Sequence, residues 1–230
     1  MQINPKSVFV VIPSYNEAQV IVATMKPLIV AGYQVVLVDD CSTDNTREVM
    51  RGVPQVHYVR HPVNLGQGAA LQTGMEYACR NGAEFVIHFD ADGQHDAAGI
   101  PAMLEPILAG RADITMGTRF KRKEDIDAIP AARRNVLRVA ILANAVVTGM
   151  WLTDAHCGFR ALNRLALSKI HFTENRMAHA TEILSIIRRE KLRLEEVPVH
   201  IVYTEHSRMK GQSSWNSINI LMDLILNKLF

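Results

Sequence analysis

The chain has 230 residues, 48% of them hydrophobic and 21% charged. That mixture describes a globular chain that can bury a large core, not a disordered one. Twenty-five Lys and Arg against 23 Asp and Glu leave a formal charge of +2, which excludes a histone-like binder of nucleic acid and an acidic tail protein. Three cysteines, Cys41, Cys79 and Cys157, are an odd number with no CxxC among them, so a disulfide framework is not expected and a reducing compartment is.

The first apolar run, residues 8–12, is too short for the core of a secretory leader and follows no basic cluster. It reads as a strand closed by Pro13. Residues 18–30 read as a helix, with Pro27 expected to kink or break it. Residues 34–39 form a second apolar strand ending in Asp39 and Asp40, and Thr43 or Asp44 is placed to cap a short helix toward Met50. A third strand is expected at 56–59, a helix over 68–81, a fourth strand at 85–89, a helix over 100–109 and a fifth strand at 114–116. Alternating strands and helices with near-continuous apolar strands point to a parallel sheet covered on both faces.

The second half reads differently. Helices are expected over 131–148, led by Arg133, Arg134 and Arg138, and over 178–191; residues 194–203 are extended, with Pro198 indicating a sheet edge. Two segments are strongly apolar without reaching the roughly 18–20 residues of a membrane span. Residues 136–152 are broken by Arg138, Asn144 and Gly149, and the polar positions 219, 223 and 227 of 218–230 continue from Asn216 as one narrow stripe. Each fits an interfacial helix or an ordinary core helix.

Three strand ends carry polar clusters: Pro13-Ser14-Tyr15-Asn16-Glu17, Asp39-Asp40-Cys41-Ser42-Thr43-Asp44 and Asp90-Ala91-Asp92-Gly93-Gln94-His95. Parallel strands bring all three to one edge, where ligands of open α/β sheets bind. Asp90 and Asp92 flank a single alanine. Two such carboxylates repel unless a cation lies between them, and hard oxygen donors favour Mg²⁺ or Mn²⁺ shared with substrate phosphates. Gln94 adds an oxygen, and His95 is either a further ligand or a hydrogen-bonding neighbour. No GxGxxG follows the first strand and there is no Walker A motif, which argues against a dinucleotide oxidoreductase and a P-loop enzyme.

These clusters, in this order, resemble family 2 glycosyltransferases of the GT-A fold, and within them the dolichyl- and polyprenyl-phosphate sugar transferases. The resemblance runs over about residues 8–215. It takes in the three clusters, Asn64-Leu65-Gly66-Gln67-Gly68 with Ala69, Ala70 and Gly74, then Gly117-Thr118-Arg119-Phe120, Asp154 with Cys157-Gly158-Phe159-Arg160, Glu196-Val197-Pro198, and Arg208 with Gly211 and Ser213. It implies an α/β, Rossmann-like nucleotide-diphospho-sugar transferase fold with a mixed, mainly parallel sheet flanked by helices. A single domain over 1–230 would have a nucleotide-sugar half (1–120), an acceptor half (121–214) and a C-terminal amphipathic helix (215–230).

By the same resemblance, Pro13, Tyr15 and Glu17 line the nucleotide pocket, Asp40 contacts the base and Asp39 orients its loop. Asp90, Asp92 and Gln94 hold Mn²⁺ or Mg²⁺ on the diphosphate, with Ala91 between them. Arg119 faces the donor or acceptor phosphate, and Arg208, or its neighbour Lys210, takes the acceptor phosphate. The implied partners are a nucleotide-sugar donor and a polyprenyl-phosphate acceptor, with a small membrane protein or a second copy as a further partner and no nucleic acid. The implied location is cytoplasmic, peripheral at the inner face of a membrane. A phosphate acceptor needs positioning by Arg119, Arg160, Arg208 or Lys210; a hydroxyl acceptor needs a base, for which Asp154 is the first candidate and Glu182 the second. Rival readings are a hydroxyl-acceptor transferase, a non-catalytic sugar-nucleotide-binding subunit and a nucleotidyltransferase. Cys41 departs from the family, which often has Gly or Asn there.

Overall fold

The computed structural model describes residues 3–118, 149–154 and 157–200. Seven strands form one sheet in the order β3-β2-β1-β4-β6-β5-β7. The strands are β1 (Val8–Ser14), β2 (Gln34–Asp39), β3 (His57–Arg60), β4 (Phe85–His88), β5 (Ile114–Thr118), β6 (Arg160–Asn163) and β7 (Leu194–Pro198). The helices are α1 (Ile21–Val30), α2 (Thr46–Arg51), α3 (Gln67–Arg80), α4 (Ile100–Leu108), α5 (Arg164–Lys169) and α6 (His179–Arg189).

Alternation along β1 explains the two-sided core. Phe9 and Val11 point to one face and pack with Leu71, Met75, Ile183 and Leu184. Val8, Val10 and Ile12 point to the other and pack with Ile21, Met25, Leu28, Ile100 and Leu104. Each fully buried aliphatic side chain of this kind contributes about 1.5–3 kcal/mol. Gly74 brings α3 tightly onto β1: a Cβ there would lie 2.2 Å from Val11 Cγ1.

The parallel sheet holds for β3-β2-β1-β4. It does not continue to β5. The antiparallel strand β6 stands between β4 and β5, so the sheet is mixed. Sequence reading missed β6 and α5: a four-residue Arg-Ala-Leu-Asn strand lacks the continuous apolar run that marked the others. Asn163, the last residue of β6, caps α5 by accepting the Ala166 N–H at 2.8 Å. β7 lies at the sheet edge, as Pro198 indicated.

Pro27 does not end α1; the helix runs from Ile21 through it to Val30. Pro27 lies on the exposed side, with Ala23, the residue one turn earlier whose carbonyl loses its helical donor. That carbonyl can turn to water at little cost. The short helix α2 is capped by Asn45 without a side-chain bond, while Asp44 Oδ1 accepts the Thr46 N–H at 3.0 Å. No helix among the described residues is long and apolar enough to cross a membrane. The expected helices over 131–148 and 218–230 lie outside the described residues, except for the end of the apolar run at 149–152.

Candidate active site

The register Ser14↔Asp39 between β1 and β2, and Val11↔His88 between β1 and β4, sets three strand ends side by side. The loops beyond them enclose a cleft of about 390 Å³. Its walls include Pro13, Tyr15, Glu17, Asp40, Asp90, Ala91 and Asp92, seven residues the sequence had marked for the donor. Ser14, Gln67, Ala70 and Met177 complete the lining.

The loops are latched to each other. Asn16, in the left-handed region at φ 57°, accepts the Thr43 N–H on Oδ1 at 2.8 Å, and its own N–H donates to Ser42 Oγ at 2.9 Å. Asp39 is fully buried, accepts the Ser42 N–H at 2.8 Å and pairs with Arg60 Nε at 3.2 Å, so it orients the loop as expected. Asp40 lines the cleft, yet its carboxylate has partners other than the base contact assigned to it. It accepts the Leu65 N–H at 2.8 Å and the Gly66 N–H at 2.7 Å, and faces His61 Nδ1 at 2.8 Å. His61 Nε2 continues the chain to Thr73 Oγ1 on α3 at 2.9 Å.

The second wall was not marked in advance. The turn at Gly66 and the start of α3 accommodate residues 174–176. A Cβ on Gly66 would lie 2.4 Å from the Asn175 carbonyl oxygen, and one on Gly68 would lie 2.0 Å from that of Glu174. Ala69 N–H donates to Asn175 O at 3.1 Å. Glu182 supports this loop by accepting the N–H groups of Thr173 and Glu174 at 2.9 and 3.0 Å, a structural part and not that of a base. Only the paired glycines hinted at this contact.

Asp90 and Asp92 are both in the cleft. Gln67 Nε2 donates to Asp90 Oδ1 at 3.3 Å, and His95 Nε2 lies 2.8 Å from Oδ2, so His95 is a neighbour of the carboxylate. Burial pushes Asp90 up, but the His95 bond and the nearby Arg160 and His179 outweigh it, leaving its acidity stronger than usual. Asp92 goes the other way: burial, the Asp90 charge and the Glu17 charge hold it above the usual carboxylate range. Gln94 does not line the cleft; its backbone N–H donates to Asp92 Oδ1 at 3.0 Å.

A divalent cation fits these residues. Glu17, Asp90 and Asp92 crowd negative charge where a diphosphate would lie, and a cation relieves that repulsion. No group of three His, Cys, Asp or Glu side chains among the described residues is arranged to hold a metal ion by itself. Asp90 and Asp92 would offer such an ion two hard carboxylates, the oxygen donors that Mg²⁺ and Mn²⁺ accept alongside phosphate oxygens.

The remaining candidates separate. Asp154 is buried and outside the cleft lining, with its N–H 3.2 Å from Glu196 Oε1. Arg160 is almost wholly buried, on β6 between β4 and β5, and not exposed to an acceptor. Arg119, Arg208 and Lys210 lie outside the described residues.

This strand order, with an acidic cleft across the ends of β1, β2 and β4, is that of the GT-A fold. Residues 9–171 match the family described as Glycosyl transferase family 2, and the chain belongs to that family. It is a glycosyltransferase. It is 33% identical over 232 residues to an uncharacterized protein of Methanocaldococcus jannaschii, covering 100% of this chain and 95% of that one. It is 28% identical over 247 residues to the UDP-N-acetylglucosamine–dolichyl-phosphate N-acetylglucosaminyltransferase of Methanococcus voltae, covering 97% of each. It is also 28% identical to the undecaprenyl-phosphate mannosyltransferase of Micrococcus luteus, covering 89% of this chain and 88% of that one.

Among solved structures, glucosyl-3-phosphoglycerate synthase of M. tuberculosis superposes with a TM-score of 0.62 at 19% identity, over 86% of this chain and 73% of that one. A mannosyltransferase of Pyrobaculum calidifontis, in complex with GDP-Man and Mn²⁺, superposes at 0.54 with 20% identity, over 90% and 62%. At these identities the likeness speaks for the fold.

Proposed function

We propose that this chain moves a sugar from a nucleoside diphosphate sugar to a polyprenyl or dolichyl phosphate, with a divalent metal and inversion at the anomeric carbon. The observation that carries the reading is the single cleft that joins an exposed aromatic face, Tyr15, to the paired carboxylates Asp90 and Asp92. The lipid-phosphate acceptor is supported by the relatives from Methanococcus voltae and Micrococcus luteus, whose names state such acceptors.

The base rests on Tyr15 and Pro13, and the diphosphate reaches Asp90 and Asp92. Mn²⁺ or Mg²⁺ bound there supplies a Lewis acid that neutralises charge on the leaving diphosphate. Asp39 and Asn16 hold the two loops in place, so the cleft is organised before the donor arrives. A lipid phosphate is already ionised and attacks without a base, so the buried position of Asp154 is no obstacle. Arg119 and Arg208 or Lys210 shield the charge between acceptor and donor. The apolar segments 131–152 and 218–230 lie at the membrane surface, where each arginine near anionic headgroups contributes about 1 kcal/mol.

The test is transfer itself. The protein is incubated with Mn²⁺ and a panel of labelled GDP- and UDP-sugars, with and without polyprenyl phosphate. Label is expected in the organic phase with one donor, and is expected to disappear with EDTA and in Asp92→Ala. Release of nucleoside diphosphate without lipid label would leave a glycosyltransferase and sink the lipid acceptor.

A further inference from the structure

Asp90 is held on three sides. Gln67 Nε2 reaches Oδ1 and His95 Nε2 reaches Oδ2, at 3.3 and 2.8 Å. The third side is Gly158. A Cβ there would lie 2.3 Å from Asp90 Oδ2, 2.6 Å from Oδ1 and 2.7 Å from Cγ. The next residue, Phe159, is buried and places its ring 5.1 Å from the His95 ring, centre to centre. Arg160 follows on β6, with Nε and Nη1 buried and without a hydrogen-bond partner among the described residues. This run is fixed in the sheet: Arg160 is in register with His88 on one side and Met116 on the other, and Phe159 O accepts the Gly117 N–H at 2.8 Å.

We infer that the Gly158–Phe159–Arg160 run is the seat of the Asp90 carboxylate, and that Gly158 is a positioning residue that sets the affinity for the divalent metal. The inference rests on the reading of Asp90 and Asp92 as metal ligands. Its physical content is a matter of what yields. The three atoms nearest a methyl group at 158 all belong to the Asp90 carboxylate, so the carboxylate is the group that must yield first, swinging away from His95 and from the metal. Phe159 acts one step further out, by fixing the ring that fixes Oδ2. Partners of this kind typically alter metal affinity by about 10–100-fold.

The experiment uses the full chain. Free Mn²⁺ is followed by electron paramagnetic resonance during titration of the protein with UDP present, and separately with GDP. Unfolding is measured in EDTA. Gly158→Ala is expected to weaken Mn²⁺ binding by about 10-fold or more while its unfolding midpoint in EDTA stays at the wild-type value. Phe159→Leu, which keeps apolar bulk but removes the ring, is expected to weaken binding less. A folded Gly158→Ala that binds Mn²⁺ as wild type does overturns the inference, while loss of binding in Asp92→Ala alongside it leaves the metal reading standing. If Gly158→Ala does not fold, Phe159→Leu decides, and unchanged affinity overturns the inference. Wild-type protein that binds no more Mn²⁺ than Asp92→Ala overturns both.

Discussion

The carboxylate of Asp40 ties Gly66 to the end of β2, accepting the Gly66 N–H on Oδ2 at 2.7 Å while Oδ1 takes the Leu65 N–H at 2.8 Å. A buried anion with backbone donors on both oxygens is a strong local restraint. It fixes the approach to α3, and with it Gln67 in the cleft. Asp40→Asn keeps the size but turns a donor toward one of these N–H groups. The expected cost is about 2–3 kcal/mol of stability, read from urea unfolding, with weaker donor binding as the Gly66 turn shifts. A change below about 0.5 kcal/mol would show that this turn is held by other contacts.

Much of the cleft at the ends of β1, β2 and β4 is legible in the sequence, and the reason is chemical. β1, β2 and β4 are short apolar runs that end abruptly in polar residues, and both the strand and its functional end can be read from that change. Asp39 and Asp40 were both marked, but a carboxylate that binds a ligand and one that binds a backbone turn look alike until partners are known. β6 was hidden for a different reason. Its first residue is Arg160, and a buried arginine inside a four-residue strand contradicts the apolar pattern by which strands are recognised. Pro27 does not break α1 because it and Ala23 face the exposed side, and which side a residue faces is a tertiary fact.

Cys41 has φ 63°, in the left-handed region. A residue with a Cβ is strained there by about 1–2 kcal/mol, and asparagine and glycine tolerate it better. Glycine or asparagine is what this backbone conformation favours at position 41. Its thiol makes no strong compensating bond, lying 3.5 Å from Pro62 O and 4.0 Å from Arg60 Nη2. Cys41→Asn is expected to stabilise the protein by about 0.5–1 kcal/mol, raising the midpoint of thermal unfolding by roughly 1–4 °C. A lowered midpoint would mean that the thiol packs better than its contacts suggest.

His179 is buried at the start of α6, its Nδ1 2.8 Å from the Arg176 carbonyl and its ring edge-on to Phe172. Burial, and then the charge of Arg160, pushes it down to about 4. The unfolded chain therefore takes up a proton near pH 6.5 that the fold refuses until about pH 4. The contribution of the neutral ring is complete above pH 6.5 and is lost as pH falls toward 4, on the order of 3 kcal/mol. In His179→Asn, which retains a donor for Arg176 O, the stability profile should be flatter across this window. Parallel profiles for the two proteins would remove His179 as the cause.

Tyr15 is 45% exposed beside the carboxylates, with its ring on the wall of the cleft. A ring so exposed contributes little to the fold, so its removal should be visible in binding and not in unfolding. Base stacking on an aromatic side chain is worth about 1–3 kcal/mol by alanine substitution. Tyr15→Ala should therefore raise the donor KM by roughly 5- to 150-fold, with kcat and the unfolding midpoint close to wild type. Tyr15→Phe keeps the face and should restore most of the affinity. An equal loss in Phe and Ala would transfer the role from the ring to the hydroxyl, and the base would then be gripped by a hydrogen bond and not by a stack.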